Sequence, residues 1–219
     1  LSTMDRLSMS NVPKAVRGPA MRQPGVAGMF YPADPAELER MIDDMLKGKV
    51  KSKAWPAAMV PHAGLIYSGH IAADVLKRVT IPETVIVLCP KHTPLGVEWA
   101  VAPQQSWSMP GFTLESDPKL ARQLTQAIAG LELDALAHQH EHAVEVELPF
   151  LARLAPETKV VGIAIGGGDY ERCCQFAEGL ASVLRERDDK PLLVISSDMN
   201  HFATDAENRR LDEIALKSL

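Results

Sequence analysis

Polar segments that contain histidine follow three short apolar runs of the sequence. His62 follows the first, His92 the second, and Asp198 and His201 the third. Two neutral imidazoles with one anionic ligand form the facial arrangement of non-haem iron(II) sites, which leaves positions open for a substrate and for oxygen. A further histidine beside such a site can move protons, because its ordinary pKa is about 6.5. If the four side chains lie together, these residue types predict a metal site with an acid/base group.

A second interpretation of the same residues needs no metal. Each histidine taken alone is typical of a hydrogen-bonded loop residue, and Gly64 in the Pro61–Gly64 segment fits a strand-to-turn transition with a positive φ. Three histidines and an aspartate at the ends of apolar runs give the metal site the same weight as the simpler interpretation. Both interpretations stay open at the level of the sequence.

Three further histidines, His138, His140 and His142, are spaced two residues apart. One interpretation is a histidine-rich metal-binding tract. In the other, Glu141 and His142 open a helix, His142 or Glu145 points into the pocket, and the remaining members face solvent. We favour the second interpretation for His138 and His140, because side chains two positions apart on a helix do not face each other.

The segments that position these groups alternate between apolar strands and amphipathic helices. Loops after parallel strands gather at one edge of a sheet, so the polar segments are expected to meet there. The pattern predicts an α/β fold in three layers, α/β/α, with a central, mostly parallel or mixed sheet covered on both faces. Residues 97–117 are less regular and are expected to pack over the sheet edge. Strands are predicted at 57–60, 84–89, 159–165 and 192–196, and helices at 35–46, 69–79, 170–187 and 209–219.

Composition excludes several classes of protein. The 219 residues carry a formal net charge of −5, which is not the basic footprint of a nucleic-acid-binding protein, and no run of apolar residues is long enough to predict a membrane span. Three cysteines, two of them adjacent, do not form a disulfide framework, and the N-terminus lacks a signal peptide, so a cytoplasmic protein is expected. Residues 1–24 are expected to form a flexible tail and residues 25–219 a single domain. The uncapped last helix predicts that this domain lacks its C-terminal portion.

Other reactive residue types have simpler interpretations. Cys89 lies inside an apolar strand and is expected to be a core residue, and Cys173 and Cys174 diverge on a helix too widely to share a metal. The run Gly166–Gly168 matches neither a dinucleotide-binding motif nor a P-loop, so a turn is favoured over a phosphate site. A serine nucleophile within Ser196–Asp198 would lack the setting that such a residue needs.

Five motifs follow one another along the chain, at 26–32, 61–69, 88–93, 141–150 and 196–201. They read VAGMFYP, PHAGLIYSG, LCPKHT, EHAVEVELPF and SSDMNH. In this order they resemble the motifs of the Memo family, called AmmeMemoRadiSam system protein B in prokaryotes. The resemblance runs from about Arg22 to the last residue, and it rests on the shared order, because each motif alone is weak.

The Memo resemblance implies a fold similar to that of the class III, non-haem iron extradiol dioxygenases. It implies that His62 and His92 are metal ligands. It also implies that Asp198 and His201 line the same pocket, with His201 at the acid/base position of the dioxygenases. The implied metal is iron, with copper as another possibility.

The same resemblance implies that the aromatic rings of Phe30 and Tyr67 border the pocket. The family completes its metal site with a cysteine of a later Cys-Gly motif, which the given chain does not contain. The chain also departs from the family pattern at Cys89, where a glycine is usual, and at Lys91, where a small polar residue is usual. An ammonium group beside a divalent ion weakens binding unless it points away.

Two functions follow as hypotheses. In the first, the chain is an oxidoreductase of unknown substrate with a dioxygenase-like metal site. In the second, it is a non-catalytic binding or accessory protein with a vestigial active site, which recognises a peptide or small ligand or serves a radical-SAM enzyme. In this second hypothesis, Tyr67 and the stretch Trp99–Phe112 form a binding lip.

Overall fold

The computed structural model describes residues 20–218, and residues 1–19 and 219 lie outside the described part. Most of the predicted tail therefore lies outside it as well, and the described end of that tail forms a strand, Met21–Arg22. Within residues 20–218, no helix combines the length and the apolar character that crossing a bilayer requires. The strands are β1 (Met21–Arg22), β2 (Ala57–Val60), β3 (Thr84–Pro90), β4 (Trp99–Val101), β5 (Ser106–Met109), β6 (Phe112–Glu115), β7 (Glu132–Leu133), β8 (Lys159–Ile165) and β9 (Leu192–Ser196). The helices are α1 (Pro35–Met45), α2 (Leu65–Leu76), α3 (Pro118–Ala127), α4 (Ala135–His138), α5 (His142–Glu145), α6 (Leu148–Leu154), α7 (Tyr170–Arg185) and α8 (Asp205–Leu216).

A mixed sheet forms the middle layer of the fold, with the strand order β2-β9-β3-β8-β4-β7. The first four strands are parallel, β4 is antiparallel to β8, and β7 is parallel to β4. A smaller sheet has the order β1-β5-β6. The carboxyl ends of β2, β9, β3 and β8 consequently lie at one edge, as the alternation of strands and helices predicts.

The two faces of the central sheet bury separate apolar cores because side chains alternate along each strand. On β3, Val85, Val87 and Cys89 belong to one core, and Ile86 packs in the other. Helices α1, α2, α5 and α6 contribute to the first core, and α3 and α7 to the second. This confirms the predicted three-layer α/β/α architecture and the interpretation of Cys89 as a core residue.

Local sequence signals account for the helix ends. The carboxylate of Asp34 accepts a hydrogen bond from the Glu37 N–H (2.8 Å), and Pro35 takes the first position of α1, as predicted. Helix α2 begins at Leu65 and not at Gly69 as predicted. Leu65 is buried and adds the first turn of the helix to the core. The loop between β2 and α2 is therefore only four residues long, Pro61–Gly64.

The irregular stretch after residue 97 contains two buried tryptophans. Trp99 and Trp107 are each 1% exposed, and the indole N–H of Trp107 donates to the Val160 carbonyl (3.0 Å). The two tryptophans therefore do not contribute to the binding lip that the second hypothesis places at Trp99–Phe112. The bulky rings supply apolar area to the core instead.

Close packing around Gly162 generates a test of this core. A Cβ atom at Gly162 would lie 2.8 Å from the Trp107 ring, so we expect Gly162→Ala to lower the free energy of unfolding by about 1–3 kcal/mol. At Gly167 the nearest atom to an added Cβ is 3.9 Å away, which makes Gly167→Ala the matched control. Urea unfolding of both variants measures the difference. Equal stabilities of the Gly162→Ala and Gly167→Ala variants would contradict the close packing of Gly162 against Trp107.

Candidate metal centre

Three histidine rings from three separate elements meet at the carboxyl edge of the sheet. His62 follows β2, His92 follows β3, and His142 is the first residue of α5. One ring nitrogen from each lies within 4.8 Å of the others. Two nitrogens bound to one ion at about 2.0–2.1 Å lie at most about 4.2 Å apart, so small ring rotations would close this cluster on a metal.

His62 is held by two residues at the end of β9. Its backbone N–H donates to Oδ1 of Asp198 (2.8 Å), and its Nδ1 lies 3.1 Å from the Ser196 hydroxyl. The other ring nitrogen, Nε2, lies 3.9 Å from Oδ2 of Asp198. The ring is 3% exposed, and this burial lowers its pKa, so that the imidazole is neutral at pH 7 and available as a ligand.

Glu141 anchors His92. Its Oε2 accepts the backbone N–H of His92 (2.6 Å), its Oε1 lies 2.8 Å from Nδ1 of the same ring, and Oε1 also accepts the Ala143 N–H (3.0 Å). Burial alone would raise the pKa of Glu141, but the hydrogen bonds from His92 and Ala143 outweigh it and lower the pKa. A carboxylate that holds one nitrogen of a histidine and leaves the other free is the usual support of a metal ligand.

The sequence alone indicates no role for Glu141 in the site beyond opening the helix. The signal was present, because a glutamate immediately before a histidine at a helix start can cap the helix through its carboxylate. Its contact with His92, 49 residues away, depends on the tertiary structure.

His142 faces the other two rings, as one of the two sequence interpretations predicts. Its ring centroid lies 4.3 Å from that of His92, 5.5 Å from that of His62 and 4.3 Å from that of Phe30. Burial and the neighbouring His92 lower the pKa of His142 to about 4. Phe30 therefore borders the cluster, as the family resemblance implies.

The two preceding histidines, His138 and His140, differ in their exposure to solvent. His140 is exposed, as expected. His138 is 1% exposed and its Nε2 lies 3.2 Å from the Ala100 carbonyl, so the expectation that it faces solvent is wrong. Burial lowers the pKa of His138 to about 4, and the ring is a neutral core residue.

Glu145 belongs to a separate buried cluster. Its carboxylate accepts hydrogen bonds from the Arg22 guanidinium, the Tyr31 hydroxyl, the Gly25 N–H (2.9 Å) and the Val26 N–H (3.1 Å). Burial and the contact with Glu145 raise the pKa of Tyr31. Glu145 therefore holds the N-terminal segment against α5. Of the two candidates for the pocket, His142 is the one that faces the site.

Two other predicted pocket residues lie at the surface. Tyr67, on the first turn of α2, is 80% exposed and packs beside Gly64. His201 is exposed, its Nδ1 lies 2.9 Å from the Met199 carbonyl, and its ring contacts that of the fully exposed Phe202. The structure therefore brings Asp198 to the histidine cluster and leaves His201 outside it.

A buried acid lies behind the cluster. Glu147 is fully buried, and burial raises its pKa from an ordinary value of 4.5 to about 8. Such a residue keeps its proton in the folded chain at pH values where the unfolded chain has already released it. The contribution of Glu147 to folding stability therefore falls as the pH rises from about 4.5 through 8.

We expect Glu147→Gln to remove that slope. The variant should gain on the order of 4 kcal/mol relative to the parent chain between pH 5 and pH 9, because the neutral amide has no proton to lose. Urea unfolding across this range measures the difference, and Glu157→Gln, at an exposed position, is the control for losing a carboxylate. Parallel stability curves for parent and Glu147→Gln would contradict a protonated Glu147.

Comparison with known proteins places the chain in a family. A family model described as Memo-like protein matches residues 22–219. A MEMO1 family protein of Aquifex aeolicus is 41% identical over 201 residues, which cover 91% of this chain and 74% of that protein. A MEMO1 family protein of Archaeoglobus fulgidus is 36% identical over 199 residues, or 91% of this chain and 75% of that protein. The range that the family model matches spans the three clustered histidines, and the chain belongs to the Memo-like family.

Proposed function

We propose that this chain binds a transition metal through His62, His92 and His142 and acts as an oxidoreductase on a small substrate. The observation that carries the proposal is the convergence of three imidazole nitrogens within 4.8 Å. The lowered pKa of His62 and of His142 supports it, because neutral imidazole is the form that binds a metal.

The donor set narrows the choice of metal. Imidazole suits zinc, copper, iron and nickel, and three histidines with no thiolate do not favour the softest ions. The resemblance to extradiol dioxygenases makes iron(II) the ion that we propose, with copper as the alternative. When bound, such an ion would supply Lewis-acid activation and redox reactivity toward oxygen.

The protein's own residues would perform two tasks around that ion. Glu141 orients His92 through its Nδ1 and so presents Nε2 to the cluster. Asp198 keeps Oδ1 on the backbone of His62 and places Oδ2 3.9 Å from the ring nitrogen, where it can accept a proton from a bound substrate. In this proposal Asp198 takes the acid/base role that the resemblance gives to His201.

The exposure of His201 also favours a second candidate function. If the acid/base residue of the dioxygenases is needed at the cluster, a chain that leaves it in solvent is a metal-binding accessory protein without turnover. Recognition of a peptide or small ligand, or service to a radical-SAM enzyme, would be its role. Activity assays on a metal-loaded chain separate the two candidates.

Metal content tests the three-histidine site. We expect His62→Ala, His92→Ala and His142→Ala each to weaken binding of iron(II) by at least about tenfold, because each removes one ligand. The measurement is anaerobic reconstitution followed by metal analysis, and His140→Ala, an exposed histidine of the same segment, is the control. His142→Ala is the sharpest variant, because the family resemblance implies only the other two ligands. Unchanged binding by His142→Ala would remove it from the site.

Oxygen uptake with a panel of catechols tests the enzymatic part. We expect Asp198→Asn to lower the rate by about 100-fold while iron stays bound, because the amide cannot accept a proton. His201→Ala should change the rate by less than about threefold, since its ring lies outside the cluster. Stoichiometric iron with no oxygen uptake on any substrate would favour the accessory protein instead.

A further inference from the structure

Ser196 lies directly behind the histidine cluster and is fully buried. It is the last residue of β9, and the alternation along that strand turns it to the same face as Leu192 and Val194, toward α5. Its hydroxyl oxygen has three polar neighbours. They are the Ala143 carbonyl at 2.7 Å, Nδ1 of His62 at 3.1 Å and Oε1 of Glu147 at 3.1 Å.

The single proton of the Ser196 hydroxyl determines the direction of its three hydrogen bonds. A serine hydroxyl has one proton and two lone pairs. The Ala143 carbonyl can only accept, so it takes the proton of Ser196. The two lone pairs then face His62 and Glu147, and each of these neighbours must donate.

The surroundings of Glu147 agree with this assignment. Its side chain is fully buried, and Oε2 has no hydrogen-bond partner among the described residues. An ionised carboxylate with one unpartnered buried oxygen would be costly, whereas a protonated acid can donate to Ser196. Burial raises the pKa of Glu147 to about 8, which leaves the acid mostly protonated at pH 7.

We propose that Ser196 is a positioning residue that fixes His62 as the tautomer with the proton on Nδ1 and the Nε2 lone pair turned toward the cluster. The inference rests on the proposed function, because this tautomer matters for binding only if His62 is a metal ligand. It adds that a neutral residue, Ser196, holds His62, whereas a charged carboxylate, Glu141, holds His92. Both anchors hold Nδ1, so His62 and His92 would both bind through Nε2.

The tautomer can be read directly in the metal-free chain. Long-range ¹H–¹⁵N correlation spectra distinguish a protonated ring nitrogen from a bare one, and the His62→Gln variant assigns the His62 signals by their loss. We expect a protonated Nδ1 and a bare Nε2. A protonated Nε2 in the parent chain would overturn the inference, whether or not any variant folds.

Metal affinity tests the consequence, with zinc as the probe. Ser196→Ala should weaken zinc binding by about 10–100-fold, the usual effect of removing a partner that orients a ligand, and should leave His62 without a single tautomer. Ser197→Ala is the matched control, because that hydroxyl bonds the Asp198 carbonyl and not the ring. Ser196→Ala with the parent tautomer and the parent zinc affinity would overturn the positioning role.

The two proposals fail in different ways. A parent chain that bound neither zinc nor iron(II) would remove the proposed metal function, and the tautomer spectrum would still decide the role of Ser196. Metal binding with a protonated Nε2 would keep the proposed function and remove this inference.

Discussion

Parallel pairing of β2, β9 and β3 is the constraint on which the site depends. The register places Val60 beside Ser196 and Leu88 beside Ile195, so the three strands end at nearly the same level. The residues that follow β2 and β3 supply two of the three histidines, and the end of β9 with the residues after it supplies the serine and the aspartate that support one of them. A slip of one residue in β9 would turn Ser196 to the opposite face of the sheet, because side chains alternate along a strand.

The third histidine reaches this edge by a different route. Helix α5 is too short to be stable alone, and its position comes from tertiary contacts at both ends. The Glu141 carboxylate at its start bonds His92 and the Ala143 N–H, and the Glu145 carboxylate at its end bonds Arg22 and the N-terminal segment. The two acids therefore connect the same short helix to the histidine cluster at its start and to the N-terminal segment at its end.

Two buried acids beside the histidine cluster differ in their protonation behaviour. Glu141 accepts several N–H groups, which lower its pKa, whereas Glu147 has only Ser196 as a hydrogen-bond partner among the described residues, so that burial raises its pKa. Both residues are nearly inaccessible to solvent, so the difference comes from hydrogen bonds and not from exposure. The cluster therefore has one anionic support and one neutral support within a small volume.

Local patterns in the sequence were sufficient for the parallel strands β2, β3, β8 and β9, the starts of α1 and α7, the three-layer fold, the core position of Cys89 and the gathering of His62, His92 and Asp198 at one edge. These follow from hydrophobic periodicity, capping residues and the geometry of parallel strands, which act over short distances or through general rules. Only the tertiary structure decided that His142 joins the cluster, that Glu145 fastens the N-terminal segment, that His138 is buried and that His201 stays in solvent. Those outcomes depend on how α5 and the loop after β9 pack against distant strands. Local sequence preferences carry no information about contacts between residues that lie 50 to 140 positions apart.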